Sequence, residues 1–317
     1  MKLIEIQGYK ILLLKGHIES ETLPNPDEAD AWIINSESQW HIRRFLRKVI
    51  RTKDPKFFLQ PIFLQDELIK DKDDVAFFRL ENLSDGYIKN LDITEKIPLI
   101  ERVKSFIATY KVDSEELDST SRNIQNLFYY YYTRRRKLIP VRNPKSLTGY
   151  SYPRLEAFFM ERSGGYEKIK KFLKLQVDEG LLTREYVNTF HLCSHCSSGF
   201  LNYREKCPKC NGHNLSAVSI IHHFRCAYVG KETDFKRNGH LICPKCSAEL
   251  RNLGVDYDKP GKSYLCLNDS CNSEFQKTKI GVQCIECGTE QQPADLTVEK
   301  IYQYDFTPNA IYKIINK

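Results

Sequence analysis

The sequence predicts an α+β protein of several domains, in which an α/β N-terminal part and a helical middle precede a cysteine-rich C-terminal array. Three observations support this. Short apolar runs alternate with amphipathic helical patterns over residues 1–112, helical spacing dominates residues 113–190, and all eleven cysteines follow residue 192. Alternation of strands and helices favours a mostly parallel sheet, whereas closely spaced cysteine pairs favour small folds built around metal ions.

The N-terminal segment, residues 1–112, combines strand-like runs with two helical patterns. Over residues 40–50, apolar side chains share one helical face and basic side chains the other. Apolar residues at helical spacing predict a second helix over 97–110. The runs predicted as strands are Lys2–Ile6, Lys10–Leu14, Ala31–Ile34, Phe57–Leu64 and Val75–Phe78.

The middle segment, residues 113–190, predicts three helices followed by a hairpin. Apolar residues recur at helical spacing within 124–131, 152–159 and 166–177. The apolar residues within 181–192 are then expected to pair as a hairpin. Three helices and a hairpin in this order favour a winged helix, although many helical folds share the pattern.

Composition and charge favour a soluble protein. Hydrophobic residues make up 41% and charged residues 28%, and no apolar stretch reaches the ~20 residues of a membrane helix. Glu5 and Lys10 interrupt the first apolar region, and no small-residue cleavage site follows, so we expect a cytoplasmic protein without a secretory signal. Reducing conditions there favour metal binding over disulfides. Of the net charge of +7, the basic excess is largest within residues 111–190.

The cysteine spacing predicts three consecutive zinc ribbons within 191–292, followed by a tail over 293–317. Two pairs separated by ten residues supply the first ribbon, and a wider pair followed by a Cys-x2-Cys pair supplies the last. Four thiolates suit tetrahedral zinc in closed, structural sites. The predicted ligands of these two ribbons are Cys193, Cys196, Cys207 and Cys210, then Cys266, Cys271, Cys284 and Cys287.

The middle ribbon needs one histidine, because only Cys226, Cys243 and Cys246 are left. His223 precedes Cys226 by the usual spacing of a knuckle and completes three sites of four ligands. His222 is the alternative ligand. Three other histidines near the cysteines leave an exchange of ligands open: His191, His195 and His240. A redox role for the pairs is disfavoured, because they recur at ribbon distance without a βαβ context.

A run of tyrosines over 129–132 followed by basic residues suggests a nucleic-acid surface. Aromatic rings could stack on bases while cations neutralise phosphates. Alternatively, the tyrosines face a core and the basic run is a solvated helix end. The candidate nucleic-acid residues are Arg134, Arg135, Arg136, Lys137, Lys170, Lys171 and Lys174.

Catalytic motifs are not evident, so the sequence predicts no enzyme. A phosphate-cradling glycine loop, a nucleophile elbow and a metalloprotease helix are all missing. Asp256 and Asp258 alternate and could act as an acid–base pair or bind a cation. The following Lys259-Pro260-Gly261 instead favours a β-turn with a satisfied aspartate.

The cysteine-rich region resembles the thaumarchaeal output domain family of bacterial and archaeal signalling proteins. The resemblance rests on the runs HLCSHC, LNYREKCPKC, IHHFRCAYVG, LICPKC and LRNLGVDYDKPG, which occur in the family's order over residues 185–290. Upstream, GYSYPRLEAFF and FLKLQVDEGLL look like the segment that precedes this region in such proteins. The resemblance implies a metal-binding output or adaptor role in signal transduction and no defined reaction.

The N-terminal segment resembles a degenerate response-regulator receiver domain. DAWIIN looks like the third receiver strand, QPIFLQ like the fourth, and LSDGYI like the segment before the last strand and helix. Asn35 stands at the position of the phosphoacceptor aspartate and Gln65 where a receiver places Thr or Ser, while Lys89 and Asn90 replace the spaced Lys-Pro. The resemblance therefore implies a pseudo-receiver used for homodimerisation or partner docking. A generic α/β domain is the alternative.

Together these features predict a non-enzymatic, zinc-binding output or adaptor protein that acts through protein partners. The alternative is a nucleic-acid-binding regulator that uses the zinc ribbons and a basic surface within residues 129–174. A third hypothesis is an enzyme that uses Asp256 and Asp258.

Overall fold

The computed structural model describes residues 1–16, 23–52, 54–65, 80–109, 119–144, 146–159 and 165–315. The chain forms two compact units. The first comprises Met1–Thr189 with Lys300–Lys317, and the second comprises Phe190–Glu299. Among the described helices, none has the length and apolar character needed to span a membrane.

A five-stranded sheet organises the N-terminal part of the first unit. Its strands are β1 (Lys2–Ile6), β2 (Tyr9–Lys15), β3 (Ala31–Asn35), β4 (Ile62–Gln65) and β5 (Tyr87–Ile88). They lie in the order of the sequence, with β1 antiparallel to β2 and all later neighbours parallel. The central strands are buried, as expected where helices cover a parallel sheet.

The described residues around this sheet include the helices α1 (Gln39–Ile50), α2 (Pro55–Leu59) and α3 (Ile97–Thr109). The predictions of α1 and α3 are confirmed, and Ser38 caps α1 by accepting the backbone N–H of His41.

The strand predicted over Phe57–Leu64 is wrong in its first half. Asp54 accepts the N–H of Lys56 and Pro55 occupies the first turn, so these residues start α2, and the extended strand begins at Ile62. The strand predicted over Val75–Phe78 lies outside the described residues.

The helical patterns of the middle segment are confirmed as α4 (Ser119–Arg134), α5 (Pro153–Phe159) and α6 (Gly165–Asp178). Two short strands, β6 (Val141–Arg142) and β7 (Tyr150–Ser151), pair between α4 and α5. The core of the first unit is continuous from the sheet into these helices.

The second unit is built from antiparallel strands and one α-helical turn, α7 (Glu232–Phe235). Its buried apolar cluster is small: Ile221, Phe235, Cys243, Leu250 and Tyr257. After β8 (Leu182–Leu192), which leads into this unit, the strands are β9 (Leu201–Lys206), β10 (Leu215–His223), β11 (Tyr228–Lys231), β12 (Lys236–Arg237), β13 (His240–Ile242), β14 (Glu249–Leu250), β15 (Tyr257–Cys266), β16 (Glu274–Phe275), β17 (Lys279–Cys284) and β18 (Glu290–Gln291).

The hairpin predicted within residues 181–192 is not formed. These residues make the single strand β8, which pairs with β19 (Thr297–Phe306) near the end of the chain. The residues predicted as a tail, 293–317, thus contain β19 and the helix α8 (Pro308–Ile315). Tyr304 also forms a two-way backbone bridge with Leu138, at 2.9 and 3.0 Å. The second unit is therefore an insertion, in sequence, between two paired strands.

Candidate metal centres

Each cysteine knuckle is a tight turn that directs two side chains to one point. After the second cysteine, the backbone enters the left-handed region, as at Ser197 with φ 60° and Gly288 with φ 74°. The N–H of that residue donates to the carbonyl of the first cysteine, as from Ser197 to Cys193 at 2.9 Å. Three other knuckles repeat this bond: Asn211 to Cys207, Ser247 to Cys243 and Gly288 to Cys284. Each of these knuckles is thus held by a hydrogen bond between residues that are close in sequence.

The knuckles meet in three groups of four side chains that could hold metal ions. Within each group all ligand atoms lie within 4.8 Å of one another. Site A is Cys193, Cys196, Cys284 and Cys287; site B is Cys207, Cys210, Cys266 and Cys271; site C is His223, Cys226, Cys243 and Cys246.

Sites A and B correct the predicted grouping, in which each ribbon used consecutive pairs. The structure exchanges the partners, because the residues between Cys196 and Cys207 contain the six-residue strand β9. A strand of that length spans ~20 Å and holds its flanking knuckles too far apart to share one ion. Strand β17 separates the other two knuckles in the same way.

Antiparallel pairing of β9 with β17 explains the exchange. Leu201 lies opposite Cys284 at one end of the ladder, and Lys206 lies opposite Lys279 at the other. The knuckle before β9, which contains Cys196, therefore meets the knuckle at the end of β17, which contains Cys284. At the other end of the ladder, the knuckle after β9 meets the knuckle before β17. The alternation of apolar and polar residues in LNYREK is a strand signal that could have indicated this topology.

Site C contains His223, whereas His222 faces away from it. The Nδ1 atom of His223 lies 3.1 Å from Sγ of Cys226 and 3.5 Å from Sγ of Cys246. The side chain of His222 instead lies 3.4 Å from the Asp258 carboxylate, because neighbouring residues of β10 point to opposite faces. His240 lies 2.8 Å from Glu249. None of His191, His195 and His240 belongs to the three groups.

The sulfur separations fit a tetrahedral ion. Cys193 and Cys287 lie 3.7 Å apart, Cys196 and Cys284 3.5 Å, and Cys207 and Cys271 3.8 Å. Four thiolates at the ~2.3 Å zinc–sulfur distance would lie ~3.8 Å from one another, whereas a disulfide is ~2 Å long. Donor type and spacing are thus consistent with zinc at each site.

Hydrogen bonds around the sulfur atoms favour thiolates at several positions. The interaction with the Thr289 side chain lowers the pKa of Cys287 to about 5. The Ser273 side chain likewise lowers the pKa of Cys271 to about 6. Burial opposes ionisation of Cys243, but backbone and His223 hydrogen bonds outweigh it and lower its pKa to about 6. Each site therefore contains one thiol that ionises readily. In each site burial and neighbouring thiols raise the pKa of another cysteine: Cys196, Cys266 and Cys226.

A further shell of contacts orients these ligands. Gln291 donates from Nε2 to Sγ of Cys193 at 2.8 Å, and its Oε1 accepts from the backbone N–H and the hydroxyl of Ser194. Such partners fix ligand orientation and tune affinity. Gln291 was not identified from the sequence, because only the pairing of β17 with β18 brings it to the first knuckle.

One of the candidate nucleic-acid residues lies in the interior and not at the surface. Arg134 is buried and ion-paired with Asp85 at 3.0 Å, which corrects its placement among phosphate-binding residues. Lys137 pairs with Asp305 at 3.2 Å, and Nη1 of Arg136 donates to the carbonyl of Ser84. All candidates other than Arg134 are exposed: Arg135, Arg136, Lys137, Lys170, Lys171 and Lys174. Tyrosines 129–131 are core residues, as the alternative interpretation predicts.

The two aspartates of the GVDYDKPG run point to different partners. Asp256 accepts the backbone N–H groups of Arg251 and Asn252 at 2.9 and 2.8 Å, and these bonds lower its pKa. Asp258 faces His222. The first aspartate is therefore satisfied by backbone groups of the preceding turn, as the alternative interpretation predicts. The β-turn predicted at Lys259-Pro260-Gly261 is wrong, because these residues lie within strand β15.

Comparison with protein families gives a match that extends beyond the cysteines. The model of the family described as Thaumarchaeal output domain 1 matches residues 115–306, more than half of the chain. The chain belongs to the Thaumarchaeal output domain 1 family. The matched region includes α4 to α6 and ends with β19, so the domain comprises the helical segment and both strands that flank the second unit. No curated protein and no solved structure matches the chain.

Proposed function

We propose that this chain is a non-enzymatic signalling output protein whose zinc-stabilised module contacts a protein partner. Membership of an output-domain family supports the signalling role. The tetrahedral spacing of the three groups supports zinc, and their four protein ligands suit closed structural sites without an open position. Bound zinc would stabilise a module whose apolar cluster is small.

The observation that carries the partner hypothesis is an ordered loop with exposed apolar side chains. Leu253 is 62% and Val255 72% exposed. The Asp256 carboxylate accepts the N–H groups of the two residues that precede this loop, and the carbonyl of Asp256 accepts the N–H of Phe224 next to site C. A fixed loop that presents large apolar groups to water is typical of a protein-binding surface. We therefore assign the partner contact to this loop, called the GVD loop below (residues 253–256).

The N-terminal sheet supports the proposal of a pseudo-receiver. Strands β2 to β5 are parallel, and β3 and β4 end at Asn35 and Gln65. The amide of Asn35 donates to the Gln65 side chain, so two neutral groups occupy the carboxyl edge where a receiver would bind magnesium and phosphate. This domain would then receive its signal without being phosphorylated. It would do so by docking to a partner or by homodimerisation.

Photo-crosslinking from the GVD loop tests the partner hypothesis. A photoreactive amino acid replaces Val255 in the full chain within its native cells, and Lys277 serves as an exposed control position in the same module. We expect a discrete protein adduct from position 255 and none from position 277. A Leu253→Ser, Val255→Ser variant with unchanged zinc content should lose the partner. A partner complex that survives both serines, or identical adducts from both positions, would reject the proposal.

A second candidate function, nucleic-acid binding, is favoured by the connectivity around α6. Helices α4, α5 and α6 are followed by β8 and β19, and Leu138 bridges β19 at Tyr304. This order supports a winged helix whose wing carries the second unit as an insertion. Helix α6 would then be the recognition helix.

Salt-dependent binding of duplex DNA tests this candidate. If α6 contacts phosphates, replacing both Lys171 and Lys174 by Gln should weaken binding for all sequences and reduce the salt slope by about 2. Binding whose salt dependence the variant leaves unchanged would argue against α6 as the contact.

A further inference from the structure

A basic cavity of about 590 Å³ lies in the first unit, beside the C-terminal end of α4. Its wall includes residues of the segment 81–86, of the basic run 135–137 and of the start of α5. Arg135, Arg136, Lys137 and Arg154 contribute positive charge, and Glu81 is the one carboxylate among the described lining residues. The volume lies within the ~300–1,000 Å³ range of small-molecule sites.

Arg154 is the most informative residue of this wall, because it is buried without a carboxylate of its own. It is 5% exposed, and its guanidinium lies 3.2 Å from the centre of the Tyr130 ring. Nη2 donates to the carbonyl of Leu83, but Nε has no hydrogen-bond partner. A buried guanidinium without a neighbouring anion destabilises the fold. An anion beside Arg154 would remove this cost.

Asp85 cannot supply that counter-charge alone. Arg134 already engages both of its oxygens, with Nε and Nη2 each 3.0 Å from the carboxylate. In the part of the chain that the structure describes, Arg135, Arg136 and Arg154 form no ion pair with a carboxylate. Burial accordingly lowers the pKa of Arg154 despite its neighbours Tyr130 and Asp85. The cavity therefore has an excess of positive charge that is not balanced within the protein.

We propose that this cavity binds a phosphate-bearing small molecule, with a diphosphate group held by Arg136 and Arg154. A group with two to three negative charges matches the unbalanced cations, and guanidinium forks bind phosphate oxygens through paired hydrogen bonds. The ligand would contact the segment 81–86, which precedes β5, as well as the helices. This inference goes beyond the proposed output role and does not depend on it.

Calorimetric titration of the zinc-loaded full chain tests the cavity directly, with pyrophosphate, ADP and adenosine as probes. We expect saturable one-to-one binding of pyrophosphate and ADP with a Kd below about 100 μM, and no binding of adenosine. If pyrophosphate and ADP both fail to bind at about 1 mM, the proposal is wrong. Equal binding of adenosine and ADP would also overturn it, because recognition would not involve phosphate.

Charge-matched variants locate the site. Arg136→Gln should weaken ADP binding at least about tenfold, and Arg136→Lys should weaken it less because the charge is kept. Lys174→Gln removes the same charge from the exposed face of α6 and should leave the affinity unchanged. Equal losses in Arg136→Gln and Lys174→Gln would indicate non-specific attraction and reject the site. Arg154→Gln is interpreted only if its circular dichroism matches that of the parent chain, and it should then abolish binding.

Discussion

The carboxylate of Asp85 connects the sheet to the helical segment at the residue scale. It accepts the N–H of Ile62 on β4 at 3.0 Å and two hydrogen bonds from Arg134 at the end of α4. Arg134 also donates to the carbonyl of Leu59 at 2.7 Å. Because both side chains are almost fully buried, each depends on the other for compensation of its charge.

Replacing Asp85 by Asn should therefore strongly destabilise the first unit. The substitution keeps the shape but leaves Arg134 as an uncompensated buried charge, which costs about 3–5 kcal/mol of unfolding free energy. Urea denaturation measured by circular dichroism checks this value. Asp27→Asn, which breaks the exposed Lys56–Asp27 pair, is the control and should leave the transition unchanged. Equal effects of the two substitutions would contradict the assignment.

The same carboxylate should give the protein an acid-sensitive component of stability. Burial alone would raise the pKa of Asp85, but Arg134, Arg136 and Arg154 outweigh it and hold the pKa below its ordinary value. Its contribution is thus fully present above the unfolded pKa of ~3.9 and is lost as pH falls through the lower folded pKa. The melting temperature of the parent chain should fall more steeply below about pH 4 than that of Asp85→Asn. Parallel curves would contradict the shift.

At the scale of elements, local patterns predicted helices and knuckles, but not their partners. The apolar face of α1 and the Cys-x2-Cys turns are encoded by residues a few positions apart, and both are present. The exchange of ligands between sites A and B depends on pairing between β9 and β17, more than seventy residues apart. Likewise, the sequence predicts a hairpin within residues 181–192, whereas these residues form β8 and pair with β19. Local patterns do not indicate this partner, because it follows the whole second unit in the sequence.

Strand β19 should be essential to the first unit because it pairs with β8. Ile301 on this strand is 1% exposed, and the carbonyl of Tyr302 accepts the Tyr152 hydroxyl. Ile301→Ala should lower the unfolding free energy by about 2–5 kcal/mol, since it leaves a cavity in a packed site. Val298→Ala on the same strand is the matched control, because Val298 is 54% exposed. Thermal unfolding that does not distinguish the two variants would show that β19 is dispensable.

At the scale of the whole molecule, the candidate metal sites are connected in series by two ladders of the second unit. Strands β9 and β17 run from site A to site B, where Cys284 and Lys206 mark opposite ends. Strands β10 and β15 continue from site B, where Leu215 pairs with Cys266, to site C, where His223 pairs with Tyr257. Each ion would therefore fix the end of at least one ladder.

Paired cysteine variants distinguish exchanged from consecutive ligand sets. Cys207→Ser with Cys271→Ser disables site B alone, so about two zinc ions per chain should remain. Cys196→Ser with Cys207→Ser removes a ligand from sites A and B, so about one should remain. Plasma mass spectrometry of the purified variants gives the zinc content. The opposite ranking of the two variants would support consecutive ribbons and contradict the exchanged pairing.

Removal of zinc should unfold the second unit and leave the first largely intact. The second unit has a small apolar cluster, and structural zinc contributes on the order of 10 kcal/mol to such folds. The first unit has a large continuous core and, among its described residues, no candidate metal group. After chelation of the full chain, hydrogen exchange should rise sharply at β9 and β17 and stay slow at the buried strand β3. Added zinc should restore protection. Uniform loss of protection, or none, would contradict the view that the two units obtain their stability from different sources.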